Sequence, residues 1–154
     1  MKIRFATLND METVLEISRA LFMESRFNRY TFDASKTIEA IDMMTRNPGS
    51  SCILLAERSS GEIAGLLAGY ATEYFFCEGV VVQDRWFYVL PEYRGSAAAV
   101  KLLLAFRQWA EVRKADELCI NMSVGIDMKR FNKLMTHMGF QCSGSNFSLP
   151  MGNK

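Results

Sequence analysis

The stretch VLPEYRGSAAAVKLLLAFRQWAE, residues 89–111, constrains the fold more than any other part of the chain. It continues the run 79–90, whose β-branched and aromatic residues are typical of a strand. Pro91 ends ladder pairing, and the alanine-rich segment after it favours a helix. Residues 116–124 alternate enough to form another strand. This strand–helix–strand unit predicts two parallel strands joined by a right-handed crossover.

The rest of the chain adds antiparallel hairpins and three helices. The further predicted elements are strands over 2–6, 52–57 and 62–74, and helices over 9–24, from Asp33 or Ser35 to Pro48, and over 127–140. The last segment, 141–151, is expected to hold one or two short strands. The order β-α-α-β-β-β-α-β-α-β contains no linker, so it predicts one α/β domain over 1–154 with a mixed, mostly antiparallel sheet flanked by helices.

The composition narrows the class of function. Of the 154 residues, 49% are apolar and 23% are charged, with a formal net charge of +1, which is typical of a globular protein and argues against a dedicated nucleic-acid binder. No apolar run approaches the roughly 18 residues that a membrane span needs. The first ten residues carry no continuous apolar core and are interpreted as mature protein. We therefore expect a cytoplasmic protein that binds neither nucleic acid nor a membrane.

The thiols and the single histidine suggest no metal or covalent chemistry. The four cysteines, Cys52, Cys77, Cys119 and Cys142, are widely spaced and form no CxxC pair. We expect free thiols and no metal site. His137, the only histidine, lies off the apolar stripe of the last helix, which favours a surface role. No Cys–His pair for a covalent intermediate is visible.

The junction after Val89 has the features of an anion-binding turn. A helix N-terminus leaves backbone N–H groups unpaired and carries partial positive charge. The small side chains that open this helix would let a phosphate approach the backbone, and Arg94 would add a charged donor. The alternative is that the alanines favour helix formation and pack closely against a sheet.

Three motifs, in this order, resemble the GNAT acetyltransferase superfamily over almost the whole chain. IRFATLND is similar to the family's opening strand and the start of its first helix. FYVLPEYRGSAAA is similar to the acetyl-CoA-binding strand–loop–helix, whose loop follows the pattern Arg/Gln-x-x-Gly-x-Gly/Ala. MTHMGF resembles the Gly-Phe that ends the family's last helix. The resemblance implies a GNAT fold and acetyl-CoA as the cofactor.

The resemblance also implies where the cofactor binds. The pyrophosphate of coenzyme A is expected on the backbone amides of the loop and first helical turn, namely Arg94, Gly95, Ser96, Ala97, Ala98 and Ala99. The strand end at Phe87, Tyr88 and Val89 is expected to pair with the pantetheine arm and the thioester carbonyl, where a backbone N–H would stabilise the oxyanion. One departure stands out, because Ala97 occupies the position of the motif's first glycine.

An amine acceptor must lose a proton before it attacks a thioester. The family often uses an acidic residue in the strand before the motif, and Asp84 and Glu78 are the available carboxylates. Counting back from Val89 selects Gln83, whereas a β-bulge would move the register by one and favour Asp84. The alternative is that Asp84 and Arg85 form a solvated pair.

A second departure concerns the last helix. Many members carry a tyrosine four residues before the Gly-Phe glycine, where it protonates the departing thiolate. Met135 holds that position here and donates no proton. Tyr88 and Tyr93 flank the junction, and either hydroxyl is a candidate substitute; the alternative is that both only pack.

The acceptor wall is expected in the connection 25–36, at Arg29, Tyr30 and Phe32. We predict an acetyl-CoA-dependent N-acetyltransferase that transfers acetyl directly to a small-molecule or peptide amine. The alternative, motivated by Ala97 and Met135, is a GNAT-fold acyl-CoA-binding or regulatory module without catalysis. The tail also offers a surface through which two copies would form a homodimer.

Overall fold

A five-stranded mixed sheet organises the protein, and the computed structural model describes residues 1–151 of it. The strands are β1 Lys2–Phe5, β2 Ser51–Glu57, β3 Ile63–Glu73, β4 Val80–Val89 and β5 Glu117–Cys119, and they lie in this order across the sheet. The helices are α1 Met11–Glu24, α2 Ala34–Arg46, α3 Ala98–Val112 and α4 Met128–His137. β1 to β4 pair antiparallel and β5 pairs parallel to β4. The predicted α/β class with a mixed, mostly antiparallel sheet is confirmed.

Local side-chain bonds lie at the starts of α2 and α4 and at the 3₁₀ turn Leu8–Asp10 that leads into α1. The Asp10 carboxylate accepts bonds from the N–H and the hydroxyl of Thr7, the reciprocal contact that the spacing predicts. Asp33 caps α2 by accepting from Lys36 N at 2.9 Å. Asp127 caps α4 by accepting from Arg130 N at 3.1 Å. Each cap satisfies an N–H group that the helix itself leaves unpaired.

The sheet has one helical layer on each face. α3 and α4 cover one face, where Leu67, Val82 and Phe106 are fully buried. α1 and α2 cover the other, where Leu55, Leu66 and Tyr88 are buried. Because side chains alternate between the two faces of a strand, β4 sends Phe87 and Val89 toward α3 and sends Trp86 and Tyr88 toward α1.

A β-bulge interrupts the pairing of β3 with β4. Ala68 lies opposite Trp86, and Gly69 lies opposite Asp84, so Arg85 is the extra residue. The bulge that the sequence analysis considers is therefore present. It places Asp84 on the same face as Val82, toward α3, where Gly69 leaves room for the ring of Phe106.

The structure corrects three boundaries. α3 begins at Ala98, later than expected, because the residues before it form a turn. β5 ends at Cys119 instead of near 124, because the chain then crosses to the α1 side, where Val124 and Ile126 pack. The predicted strands within 141–151 are absent, since this segment pairs with no strand among residues 1–151. The predicted domain extends to residue 154, and its last three residues lie outside the described range.

Within residues 1–151, every helix is too short or too polar to cross a membrane.

Candidate active site

The candidate site lies where β4 and β5 separate. β5 pairs only with Val81 to Gln83, whereas β4 continues to Val89. Leu90 N–H donates to Ala64 O of β3 at 3.0 Å. Because backbone groups alternate along a strand, those of Phe87 and Val89 point to the opposite edge, which β5 has left. The second half of β4 therefore presents an open row of backbone donors and acceptors.

Asp84 lies at the point of separation and is 8% exposed. Its Oδ1 accepts from the backbone N–H of Asn121 at 2.7 Å and from the Asn121 amide at 3.1 Å. Its Oδ2 accepts no bond from another side chain or amide in the described part of the chain. Burial raises the pKa of Asp84 to about 6, although the Asn121 bonds oppose this. The alternative of a solvated pair with Arg85 is wrong, because Asp84 is buried and its partner is Asn121.

The turn before α3 and the first residues of the helix leave four N–H groups free. Arg94 N–H donates to Pro91 O, Ser96 N–H to Tyr93 O, and Ala98 N–H to the Ser96 hydroxyl. The other N–H groups of the turn and first helical residues have no acceptor in the described structure; they belong to Gly95, Ala97, Ala99 and Val100. Gly95 has φ of +88°, a left-handed conformation that turns the chain into α3. The free donors at a helix N-terminus form a candidate anion site.

Arg94 is engaged within the protein. Its guanidinium donates to both carboxylate oxygens of Glu24 at the end of α1, at 2.7 and 2.5 Å, and its Nε donates to Val89 O at 3.1 Å. The Tyr88 hydroxyl donates to the same Glu24 at 2.6 Å. Burial and the Glu24 carboxylate raise the pKa of Tyr88 to about 12, and the Arg94 bonds lower the pKa of Glu24. The charged donor expected for a phosphate is thus paired with a carboxylate that the sequence analysis missed.

The sequence alone does not indicate two further side chains of the candidate site. A Cβ built on Gly95 would lie 3.5 Å from Arg130 Nη2, so Arg130 of α4 reaches over the turn before α3, and it has no ion-pair partner among residues 1–151. The indole N–H of Trp86 is buried on the α1 face and has no acceptor there. Neither residue belongs to a motif, and only the packing of distant segments reveals them.

Four other residues that the sequence singles out take no part in these contacts through their side chains. Glu78 is exposed in the loop before β4, roughly 20 Å along the strand from Asp84 at 3.3 Å per residue. Tyr93 packs under the guanidinium of Arg58 at 4.9 Å, and His137 is exposed in the last turn of α4. Met135 is buried in the core, in keeping with its apolar side chain. None of these four side chains forms a hydrogen bond with Asp84 in the described part of the chain.

The expected acceptor wall lies in the connection between α1 and α2. Arg29 stacks over Tyr30 at 5.0 Å, and Phe32 packs edge-on against Phe22 at 5.3 Å. The neighbouring Arg26 N–H donates to Val124 O at 3.0 Å. This bond ties the connection to the segment that follows β5.

Two of the four thiols have a raised pKa. All four cysteines are free. Burial raises the pKa of Cys52 to about 12, and burial also raises the pKa of Cys119. A thiol with a raised pKa is a poor nucleophile at neutral pH. No cluster of three or more metal-binding side chains occurs in the region 1–151.

Comparison with known proteins identifies the family of the chain. Residues 12–140 match the model of the acetyltransferase (GNAT) family. The chain belongs to the GNAT acetyltransferase family. Membership supports acyl-CoA-dependent acetyl transfer in general and leaves the acceptor unidentified. A search of curated protein sequences finds no significant match.

Solved structures share the fold across the whole chain. A probable acetyltransferase is 22% identical with a TM-score of 0.74, and the match covers 100% of both chains. The aminoglycoside 6'-N-acetyltransferase AAC(6')-IG from Acinetobacter haemolyticus is 18% identical with a TM-score of 0.76, again over 100% of both chains. AAC(6')-Iy, solved with the bisubstrate analogue CoA-S-monomethyl-acetylneamine, is 15% identical with a TM-score of 0.78, over 99% of this chain and 98% of that one. At these identities the likeness concerns the fold.

Proposed function

We propose that the protein is an acetyl-CoA-dependent N-acetyltransferase that transfers acetyl directly to an amine. One observation carries the proposal. The open edge of β4 runs from the buried carboxylate of Asp84 to the free N–H groups at the start of α3. The proposed base, the proposed amide-pairing groups and the proposed anion site thus follow one another along the same strand and the turn after it.

The residues present fit an acyl-CoA. The free N–H groups of Gly95, Ala97 and Ala99 suit the pyrophosphate, and Arg130 adds positive charge. The backbone of Phe87 and Val89 suits the amides of the pantetheine arm. Ala97 has φ of −73°, so the missing motif glycine is not required for backbone conformation, and its N–H remains free. When bound, acetyl-CoA supplies an activated acetyl thioester.

Asp84 is the proposed general base. With a pKa near 6 it is mostly ionised at pH 7, and its free Oδ2 can take a proton from the ammonium of the acceptor, directly or through a water. Asn121 holds Oδ1 and thereby fixes the orientation of the carboxylate. The Tyr88 hydroxyl donates a hydrogen bond to Glu24, and ionised tyrosine beside that carboxylate would be unfavourable. We therefore assign Tyr88 a positioning role, and Glu78 has no role in this proposal.

The acceptor is proposed to enter on the α1 side, past Arg29, Tyr30 and Phe32, and to reach Asp84 through the gap where β4 and β5 separate, because Asp84 itself lies toward α3. The buried N–H of Trp86 faces this layer and can donate to an oxygen of the acceptor. Small-molecule and peptide amines both fit this description. Because one fold neighbour is named as an aminoglycoside 6'-N-acetyltransferase, aminoglycosides belong in the acceptor panel.

We further propose that the chain forms one domain over residues 1–154 and that the protein is a cytoplasmic homodimer. The exposed thiols of Cys77 and Cys142 suit a reducing compartment. In the tail, Phe147, Leu149 and Met151 are 96%, 80% and 87% exposed and alternate, as on one face of an extended segment. A second copy would cover them. Light scattering of the purified protein tests this, and a monomer at all concentrations would contradict it.

The function is tested in two stages. Calorimetry and thermal unfolding with acetyl-CoA come first, and the absence of binding at millimolar concentration would exclude the proposal. Release of free thiol is then followed across amines, peptides and aminoglycosides. The other candidate, a binding or regulatory module, is favoured by Ala97 and Met135 at motif positions. Tight binding without transfer to any acceptor in the panel would support the module.

A further inference from the structure

Glu24 occupies an unusual position for a carboxylate. It is the last residue of α1, where the helix carbonyls carry partial negative charge and disfavour an acidic side chain. A carboxylate at this position needs strong donors nearby. The sequence assigns it no role, because its partners are 64 and 70 residues away in the chain.

Three bonds hold the Glu24 carboxylate. Arg94 donates to both oxygens in a fork, and the Tyr88 hydroxyl donates to Oε2. Such two-point pairing fixes the guanidinium more firmly than a single contact does. The guanidinium also lies over the Tyr88 ring at 5.3 Å. Arg94 is therefore bound to α1, although it belongs to the turn that carries the proposed phosphate site.

The same arginine also occupies the open edge of β4. Its Nε donates to Val89 O, the carbonyl that the proposed pantetheine site would use. In this arrangement, one acceptor on the open edge is taken and the charge of Arg94 is compensated by Glu24. Both features oppose the binding of an anionic cofactor that needs a backbone partner.

We infer that Glu24 competes with the phosphate groups of the cofactor for Arg94, and that Glu24 thereby sets the affinity for coenzyme A. This inference rests on the proposed function. When Arg94 exchanges Glu24 for phosphate, the positive charge is transferred to the anion site beside Gly95, and Val89 O becomes available. Glu24 acts through Arg94 and is a positioning residue.

The exchange is physically reasonable because neither partner is deeply buried. The side chains of Arg94 and Glu24 are 28% and 33% exposed, so water can hydrate the released carboxylate. The pyrophosphate of coenzyme A carries two negative charges, one on each phosphate, whereas a carboxylate carries one, and a phosphate also accepts two parallel bonds from arginine. Exchange therefore replaces one ion pair by a stronger one and leaves no charge buried without a partner.

The test is the calorimetric affinity for coenzyme A of folded variants. Glu24→Gln removes the charge, and Glu24→Asp keeps the charge but shortens the side chain, so the fork to Arg94 is lost. We expect both variants to bind coenzyme A about fivefold to tenfold more tightly than the wild type, within the usual range of coupling between sites. Glu92→Gln, which removes an exposed carboxylate two residues from Arg94, is the matched control and should change the affinity less than about twofold.

A double variant tests whether Glu24 affects the binding of coenzyme A through Arg94. In Arg94→Gln, the further change Glu24→Gln should bring no gain, because the competition acts only through the guanidinium. Unchanged or weaker binding of coenzyme A by both Glu24 variants would overturn the inference. The ion pair between Arg94 and Glu24 would then only stabilise the turn before α3. An equal gain in Glu92→Gln would overturn the inference as well, since general electrostatics would then suffice. If the wild type binds no coenzyme A at millimolar concentration, the proposed function itself fails.

Discussion

The two halves of β4 have the same neighbour on one side and different surroundings on the other. Val80 to Gln83 pair with β3 and, over Val81 to Gln83, with β5. Asp84 and Trp86 to Val89 pair with β3 alone, and Arg85 is the extra residue of the bulge. Backbone groups of Val81 to Gln83 are paired on both sides within the sheet, whereas those on the outer edge of the second half have no strand partner, and the proposed cofactor would pair with them. One strand thus supports the fold with its first half and carries the candidate site on its second.

The sharpest test of this division compares two carboxylates. Asp116 bonds Val80 N at 2.8 Å in the paired half, and Asp84 bonds Asn121 where the open half begins. Asp84→Asn keeps an oxygen for Asn121 but accepts no proton, so we expect kcat to fall by about a hundredfold or more. Asp116→Asn should leave turnover unchanged. Steady-state kinetics with both variants decides, and equal turnover of Asp84→Asn and wild type would exclude a base at this position.

A substitution in the contact between α3 and the sheet should lower the stability of the fold. A Cβ on Gly69 would lie 2.3 Å from the Phe106 ring and 2.6 Å from Gln83 O. Gly69→Ala is therefore expected to lower the free energy of unfolding by about 3 kcal/mol, measured by urea denaturation. Gly49→Ala, at a site with nothing within 4 Å, should have little effect. Similar stabilities of the two variants would refute the tight contact.

Because the pKa of Asp84 differs between the folded and unfolded protein, the stability of the fold should depend on pH. The folded pKa is raised from 3.8 to about 6, so the folded protein holds this proton more tightly than the unfolded chain does. The stabilisation is complete below pH 4 and is lost as the pH rises through 6, by roughly 2–3 kcal/mol in total. Relative to wild type, Asp84→Asn should therefore gain stability over this range. The lowered pKa of Asp10 affects both proteins alike and cancels in the difference. A pH-independent difference would show that Asp84 titrates normally.

The smallest expected effect concerns the anion site at the end of the open half. Arg130→Gln should weaken binding of coenzyme A about fivefold, or about 1 kcal/mol, because one partly solvated charge is lost near the phosphates. Lys129→Gln removes the same charge from the preceding residue and is the control. If the two variants bind alike, Arg130 contributes only to the net charge.

Most of the fold follows from local patterns. Helix caps at Asp33 and Asp127 and the hairpin between β2 and β3 were predictable, because each depends on neighbouring residues. The short β5 and the unpaired tail were not, since they depend on whether a distant strand edge is available. Alternation alone does not show whether a partner lies beside a segment.

The candidate site follows a similar rule. The strand–turn–helix motif indicates the residues 87–99, and the bulge that favours Asp84 is present. Burial of Asp84 by Asn121, the pairing of Arg94 with Glu24 and the approach of Arg130 all join segments more than 30 residues apart. Such contacts arise from tertiary packing, and the spacing of residues along the sequence does not predict them.

The most direct test of the central claim is a crystal structure of the protein with acetyl-CoA. We expect the acetyl group beside Asp84 where β4 and β5 separate, the pantetheine arm along the open half of β4, and the pyrophosphate on the free N–H groups of Gly95, Ala97 and Ala99. A cofactor bound elsewhere, with this edge and the start of α3 left free, would contradict the account.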